Sequence, residues 1–422
     1  MRAHRLAAAA LRFGRAVGIA AALAATPMSA LPAHAAEAGP PPGATVDELL
    51  ALARRLNPTL AARALDSDAA TAKASAAGAL EDPMLNLSRD EGFRQTLTTV
   101  SQAFPLWGKR GLARSIANAE ALGARSRQLS AAVELDARVK TVFAQYWRAT
   151  HAVEVTHDTH ALLHAVAETA QRRYGQGLGQ QADAIRSAVE RSRVDLDFAN
   201  LEREKRTAQG RINALLARAP GSPLTDPIAL PPLPGAEALR IANLVDRARR
   251  NNPMLAEATS EIAAAEDSRR LVDKSWYPDV TVTLGQSSLP DIGPRLYAGV
   301  GLKVPLQWGL REAQAREATA RAGAARSRLD ASLLQLQGDL EDALAGLDAA
   351  KTTEALLTTT LQPQTDAAYR SALSSYQLGR GDLTSVLEAA HRVQEVRLEL
   401  LKVQAEERML LADIEKTIGD RL

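Results

Sequence analysis

The chain has 422 residues, 46% of them hydrophobic but only 4% aromatic, and it contains no cysteine. That composition is too apolar for a disordered chain and too poor in rings for most compact enzyme cores. The missing cysteine excludes a disulfide scaffold, thiolate metal sites and cysteine catalysis, and the formal charge of +2 invites a nucleic-acid reading that the distribution of charge removes.

Residues 1–35 carry Arg2, Arg5, Arg12 and Arg15 and no acid, followed by an apolar run over 16–25 and the small-x-small end Ala33-His34-Ala35. This pattern predicts a secretory signal peptide cleaved before Ala36. Without its four arginines the remainder holds 47 bases against 49 acids, so no nucleic-acid partner is expected. An N-terminal membrane anchor is the competing reading, but a run of about ten apolar residues is too short to cross a bilayer. No cysteine follows to carry a lipid. Beyond residue 36 no apolar run reaches about 18 residues, which excludes a helical inner-membrane transporter.

The rest of the chain repeats itself, and repeats decide a fold before local structure does. Leu56-Asn57-Pro58-Thr59-Leu60 returns as Asn251-Asn252-Pro253-Met254-Leu255, and Asp82-Pro83 returns as Tyr277-Pro278, both at an offset of 195. Pro105 and Trp107 return as Pro305 and Trp308 at offsets of 200 and 201, and Tyr174, Gly177 and Gly179 return as Tyr376, Gly379 and Gly381 at 202. Four landmarks in order imply a tandem duplication: a first repeat over 36–218 and a second over 238–422. Between them, 219–237 holds six of the twenty prolines, a density that no helix tolerates. This segment is expected to be a linker or a small packed extension.

Each repeat alternates two periodicities. From Leu106 to Ala219 there is no proline, and from Leu306 to Leu422 only Pro363. Leu329, Leu333, Leu336, Leu340, Leu344 and Leu347, then Val393, Val396, Leu400 and Val403, step by three and four, as the seams of long packed helices do. A helix from Gly108 to Tyr174 would be about 100 Å long. The glycine pairs after Tyr174 and Tyr376 read as turns of helical hairpins, since glycine supplies a left-handed C-cap. Shorter segments over 46–78, 180–218, 237–275 and 382–418 are expected to pack against the long ones, two laid end to end for each.

Val280, Val282 and Leu284 alternate with Thr281, Thr283 and Gly285, and Leu296, Ala298, Val300, Leu302 and Val304 with Tyr297, Gly299, Gly301 and Lys303. A period of two predicts strands with one apolar face. Leu85 and Leu87 begin a corresponding pair, so β-hairpins are expected near 84–105 and 279–305. Phe93, Phe104, Trp107, Trp276, Tyr277, Tyr297 and Trp308, seven of fifteen aromatics, fall within these short regions. Spanning strands carry such girdles at membrane interfaces, and Trp107, Trp276, Tyr277 and Trp308 are the candidate interface residues. A small soluble β-domain is the alternative. Four strands cannot close a membrane barrel, so the membrane reading needs several chains.

The signal peptide, the duplicated plan, the phrase Gln102-Ala103-Phe104-Pro105-Leu106-Trp107-Gly108-Lys109-Arg110 and the Tyr-x-x-Gly-x-Gly tips together resemble the TolC-type outer membrane efflux factors, most of all their heavy-metal branch of the CzcC and CusC kind. The likeness covers residues 44–420 and lies in ordered architecture more than in any short motif. It implies a mainly α protein with a small β part. Its duplicated helical hairpins would form a periplasmic α-barrel, and its four strands per chain would contribute to a transmembrane β-barrel shared by a homotrimer in outer membrane lipid. It further implies a periplasmic adaptor and a proton-driven inner-membrane pump as partners, with Tyr174, Gly177, Gly179, Gln180, Tyr376, Gly379, Gly381 and Asp382 at the docking tips. The chain departs from some relatives in lacking the lipid-anchoring cysteine, and its first hairpin is short and polar.

The expected function is a passive exit duct in the outer membrane, with heavy-metal cations as one cargo class, no cofactor and no enzymatic activity. A water-filled path spares a polar solute the cost of crossing lipid. A pump-independent outer membrane channel and a periplasmic coiled-coil adaptor are the alternatives. One cluster carries chemistry of its own: Glu154, His157, His160 and His164 step by 3, 3 and 4, share a helical face and suit zinc, copper, nickel or cobalt. A solvated polar face is the competing reading. No phosphate loop, HExxH pair or nucleophile elbow occurs.

Overall fold

The computed structural model describes residues 41–91, 95–289 and 293–422. The expected signal peptide and Phe93 therefore lie outside the described residues. In chain order the elements are α1 (Val46–Leu56), α2 (Pro58–Ala76), β1 (Met84–Asp90), β2 (Gln95–Phe104), α3 (Lys109–Gly175) and α4 (Gln181–Leu215). The plan then recurs as α5 (Ile241–Asn251), α6 (Pro253–Lys274), β3 (Asp279–Leu289), β4 (Gly293–Lys303), α7 (Trp308–Leu356), a π-helical turn (Leu357–Leu361), α8 (Gln362–Gln377) and α9 (Leu383–Ile418).

The Asn-Pro landmarks explain where the short helices break. Asn57 and Asn252 end one helix in extended conformation and cap the next, whose first residue is the proline that a helix tolerates only there. Asn57 Oδ1 accepts from the Thr59 amide at 2.9 Å, and Asn252 Oδ1 accepts from Met254 at 2.7 Å. Each side-chain amide then donates to the C-terminal end of a distant helix: Asn57 to the Leu215 carbonyl at 3.0 Å, Asn252 to that of Thr417 at 2.7 Å. One side chain thus satisfies orphan groups at the start of one helix and the end of another. In both repeats it holds the pair of short helices against the arm that returns.

The long helices differ in one respect. Helix α3 runs 67 residues without interruption. Its counterpart carries one more residue between Trp308 and Tyr376 than lies between Trp107 and Tyr174. The same interval holds the π-helical turn, which ends two residues before Pro363. A π-turn absorbs a single insertion without ending the helix. The turn is packed, since Leu357 is buried with Ala350, Val396 and Val403.

The helices lie side by side in two tiers. Near the sheet the order is α2, α3, α6, α7; farther away it is α4, α3, α9, α8. Leu336, Leu340 and Leu347 of α7 are buried with Leu244, Leu255, Ile414 and Ile418, so the leucine seam faces its neighbours. Where the tiers meet, Leu49, Leu50, Phe143, Tyr146, Ile212 and Leu216 form another core. The proline-rich segment packs there: Leu224 joins this core, the Thr225 amide donates to the Pro42 carbonyl at 3.0 Å, and Asp226 accepts from Tyr146 Oη at 2.8 Å and from Lys205 at 2.9 Å. Burial pushes the Tyr146 phenol up, while the Lys205 and Tyr146 hydrogen bonds outweigh desolvation and hold the Asp226 carboxyl down.

The strands form one antiparallel sheet in the order β1-β2-β3-β4. Its middle pair joins the two repeats, with Val100 opposite Leu284 and Phe104 opposite Val280. The edges β1 and β4 have no strand partner among the described residues.

Candidate functional site

Register divides the sheet into two faces. Leu85, Val100, Leu284 and Ala298 lie in one row across the four strands, and Asn86, Thr99, Gly285 and Tyr297 in the next. Because side chains alternate, every second row falls on the same face. One face therefore carries Leu85, Leu87, Val100, Val282, Leu284, Leu296, Val300 and Leu302. The other is dominated by small and polar residues such as Asn86, Ser88, Thr99, Ser101, Thr281, Thr283, Ser287 and Gly299. In a soluble protein the apolar face would be covered. Here Leu296 is 86% exposed, Val300 75% and Leu87 70%. Strands β3 and β4 have 11 residues each, the length that crosses a bilayer when tilted. Such a face is satisfied by hydrocarbon and not by water.

Aromatic residues mark where this wall meets the helices. The Trp107 and Tyr277 rings lie 5.2 Å apart, and Trp276 meets Trp308 edge-on at 6.2 Å. All four are partly or largely exposed. Trp107 Nε1 donates to the Pro278 carbonyl at 2.9 Å, and Lys109 Nζ reaches the Tyr277 carbonyl at 2.9 Å and Asp279 at 2.7 Å. Positive φ at Trp107 and Gly108, 62° and 79°, lets the chain turn from strand to helix there. Rings with one apolar and one polar edge suit a lipid headgroup level.

At the far end the two hairpin tips share one backbone design. Gly177 and Gly379 adopt φ of +74° and +75°, the left-handed conformation that glycine takes without strain. The Leu178 amide donates to Arg173 O and the Arg380 amide to Ser375 O, both at 2.9 Å, so each long helix ends in a Schellman motif. At Gly179 and Gly381 a β-carbon would come within 3.1 Å of the preceding helical turn. The first glycine supplies the turn and the second the close approach. Gln180 and Asp382 start the return helices, and Asp382 accepts from the Ser385 amide at 3.4 Å and from its hydroxyl. Those bonds hold the Asp382 carboxyl below its ordinary range.

The tips differ in how their tyrosines sit. Tyr174 is 45% exposed and Tyr376 only 2%. Arg173, beside the exposed ring, reaches across to the second tip. Its guanidinium lies 5.1 Å from the Tyr376 ring centre and donates to the Tyr376 carbonyl. Arg186 donates to Thr384 Oγ1, and His391 Nε2 lies 2.9 Å from Glu190 Oε2. These links fasten α4 to α9 beside an apolar core that includes Leu163, Val166, Val194, Tyr369, Leu383 and Val386. Burial raises the Tyr376 phenol, Asp183 adds to this and Arg173 opposes it. The sequence reading missed Arg173, Arg186, Glu190 and His391, since pairs about 200 residues apart leave no trace in local spacing.

The histidine face is real as helix geometry but divided in its partners. His160 lies 3.5 Å from Asp195 of α4, His164 lies 3.7 Å from Glu168, and His151 Nδ1 is 3.0 Å from the Trp147 carbonyl. Glu154 and His157 are exposed. Among the described residues no group of three or more histidine, aspartate or glutamate side chains is arranged to hold a metal ion. No helix among them is long and apolar enough to cross a membrane.

Comparison with known proteins agrees with this geometry. The model of the outer membrane efflux protein family matches residues 244–419. Among solved structures, the fold is similar to outer membrane protein VceC from Vibrio cholerae, with 17% identity, 89% of this chain and 96% of that one covered, and a TM-score of 0.77. It is also similar to CusC, at 16% identity, 89% and 92% coverage and a TM-score of 0.76. The Neisseria gonorrhoeae MtrE outer membrane channel aligns at 16% identity over 89% of each chain, with a TM-score of 0.75. No curated protein matches the sequence. The fold is the one these outer membrane channel structures share, and the family model matches within the second repeat.

Proposed function

For a chain that the outer membrane efflux protein family matches over its second half, we propose the role of outer membrane channel in a tripartite efflux system. It is a passive exit duct driven by a proton-coupled inner-membrane pump and joined to it by a periplasmic adaptor. The observation that carries this is the sheet: four strands with an exposed apolar face and two edges that no strand pairs among the described residues. Open edges in lipid leave backbone groups unsatisfied. Copies of the same chain remove both edges at once if β1 of one pairs with β4 of the next, and three copies supply a twelve-stranded barrel. The helical tiers have matching flanks, α2 and α4 on one side, α7 and α8 on the other. Ile185, Val189 and Leu196 stand exposed on the first flank and Leu334, Leu356 and Leu361 on the second. A single-hairpin adaptor has no use for such a wall.

The tips 174–180 and 376–382 are the adaptor-docking and entrance region in this reading. The resemblance favours heavy-metal cations as cargo, with selection left to the pump. Because the chain has no cysteine, a pair of introduced cysteines in every chain, one on β1 and one on β4, gives an unambiguous test. Oxidative cross-linking in intact outer membranes should yield a ladder ending at a trimer; exclusively monomeric or dimeric products at every position would overturn the duct. Replacing Gly379 and Gly381 with alanine should abolish efflux-dependent resistance at normal outer membrane abundance. Full resistance would remove the docking role, and the resistance spectrum across metal salts and organic toxicants identifies the cargo.

A further inference from the structure

The small, polar face of the sheet holds one aromatic side chain among its described residues, Tyr297. It stands directly opposite Gly285 in the β3–β4 register. A β-carbon built on Gly285 would lie 2.5 Å from Tyr297 Cε1 and Cζ and 2.6 Å from its Oη. No side chain tolerates such contacts, so the phenol lies flat on the bare backbone of the glycine. Gly285 is buried beneath it, while Tyr297 itself is 40% exposed. Side chains on a strand otherwise stand off the sheet. A tyrosine on the concave face of a barrel would then project into the lumen, unless its partner strand gives it a place along the wall.

The geometry points to Gly285 and Tyr297 as the pair that sets the bore of the duct, and hence the largest solute it passes. This rests on the channel reading above. The glycine is a berth: with it the ring lies along the wall, and without it the ring is displaced from the wall toward the water-filled side. Three copies would make the effect threefold symmetric at one level of the barrel. Its neighbour Gly299 lies on the same face but has nothing within 4 Å of an added β-carbon, so it serves as the matched control.

Thr281 is on the same face as Gly285 and four residues nearer the helices, about 13 Å along the strand. In a Thr281→Cys chain, the sole thiol is labelled from outside intact cells with maleimides of graded size. Gly285→Ala should slow labelling by the largest reagent that passes about tenfold and leave the smallest unchanged. Adding Tyr297→Ala to Gly285→Ala should restore the original rate, and Gly299→Ala should leave it unaltered. An unchanged size limit in Gly285→Ala, or a double variant as restricted as the single one, overturns the inference. Should Gly285→Ala fail to assemble, Tyr297→Ala alone decides: the size limit is expected to rise, and an unchanged or lower one overturns the role. If no reagent reaches the thiol even without further substitution, the face does not line an open duct, and the channel reading falls together with the inference.

Discussion

The two repeats share a plan and spend their differences in few places. Both use an asparagine that caps one helix and closes another, both end their long helices in a Schellman turn, and both give a hairpin to the sheet. They part at the long helix, unbroken in the first repeat and carrying a π-turn in the second, and at the tip tyrosine, exposed in the first and buried in the second. The scaffold tolerates duplication because its packing units are local. The places where the copies diverge are those where one hairpin must meet the other.

The comparison breaks most severely by moving a residue out of register. Deleting Asp158 from α3 rotates everything beyond it by about 100° and takes Leu163, Val166 and Ala170 out of their core. A loss exceeding about 5 kcal/mol, or failure to assemble, is expected. Deleting Thr359 from the π-turn should instead restore an ordinary helix, with a change under about 1 kcal/mol. Denaturation of the purified proteins in detergent measures both, and equal damage would contradict the insertion reading.

Next in size is the tyrosine pair. Tyr376→Ala should cost about 3–5 kcal/mol through the cavity it leaves, whereas Tyr174→Ala should stay within about 0.5 kcal/mol. Tyr376 Oη is buried without a hydrogen-bond partner, so Tyr376→Phe should be neutral or slightly stabilising. The asparagines test what the repeats share. Asn252→Ala and Asn57→Ala should each cost about 1–3 kcal/mol, from a lost cap and an unsatisfied terminal carbonyl, and a much smaller loss at both would remove their double role.

The smallest effect concerns pH. Glu407 of α9 is fully buried and faces Glu354, one turn before the π-turn, and Arg408 binds its Oε2 at 2.8 Å. Burial first and the Glu354 charge second raise its carboxyl above the ordinary range, against the opposing pull of Arg408. The folded state then holds this proton more tightly than the unfolded one. Its contribution to stability is fully present below the ordinary glutamate value near 4.5 and is lost as pH rises through the raised folded value. Glu407→Gln should flatten that decline in the melting temperature. An unchanged pH profile would show that Glu407 ionises freely.

Much of this was legible in the chain itself. Proline-free stretches and leucine spacing predicted the long helices, and alternation predicted strands whose apolar face is now seen exposed. Sidedness was readable because a strand has only two faces. The proline count excluded helix over 219–237 but gave no hint that Leu224 would enter a core, since an irregular segment has no period from which burial follows. Tyr174 and Tyr376 looked equivalent as motif positions; only the approach of Arg173 across the fold separates them. The histidine face was correctly spaced for one helix, yet its nearest carboxylates come from two different directions.

The extra residue of the second repeat also behaves as a timing device. In a plain helix, one added residue would turn the tip by about 100° and push it about 1.5 Å along the axis. By letting the surplus bulge beside Pro363, the π-turn keeps the residues before and after it in step with a partner that lacks the insertion. A duplicated gene can therefore lengthen one arm of its product while both tips still arrive in phase, which leaves the meeting of Arg173 with Tyr376 intact.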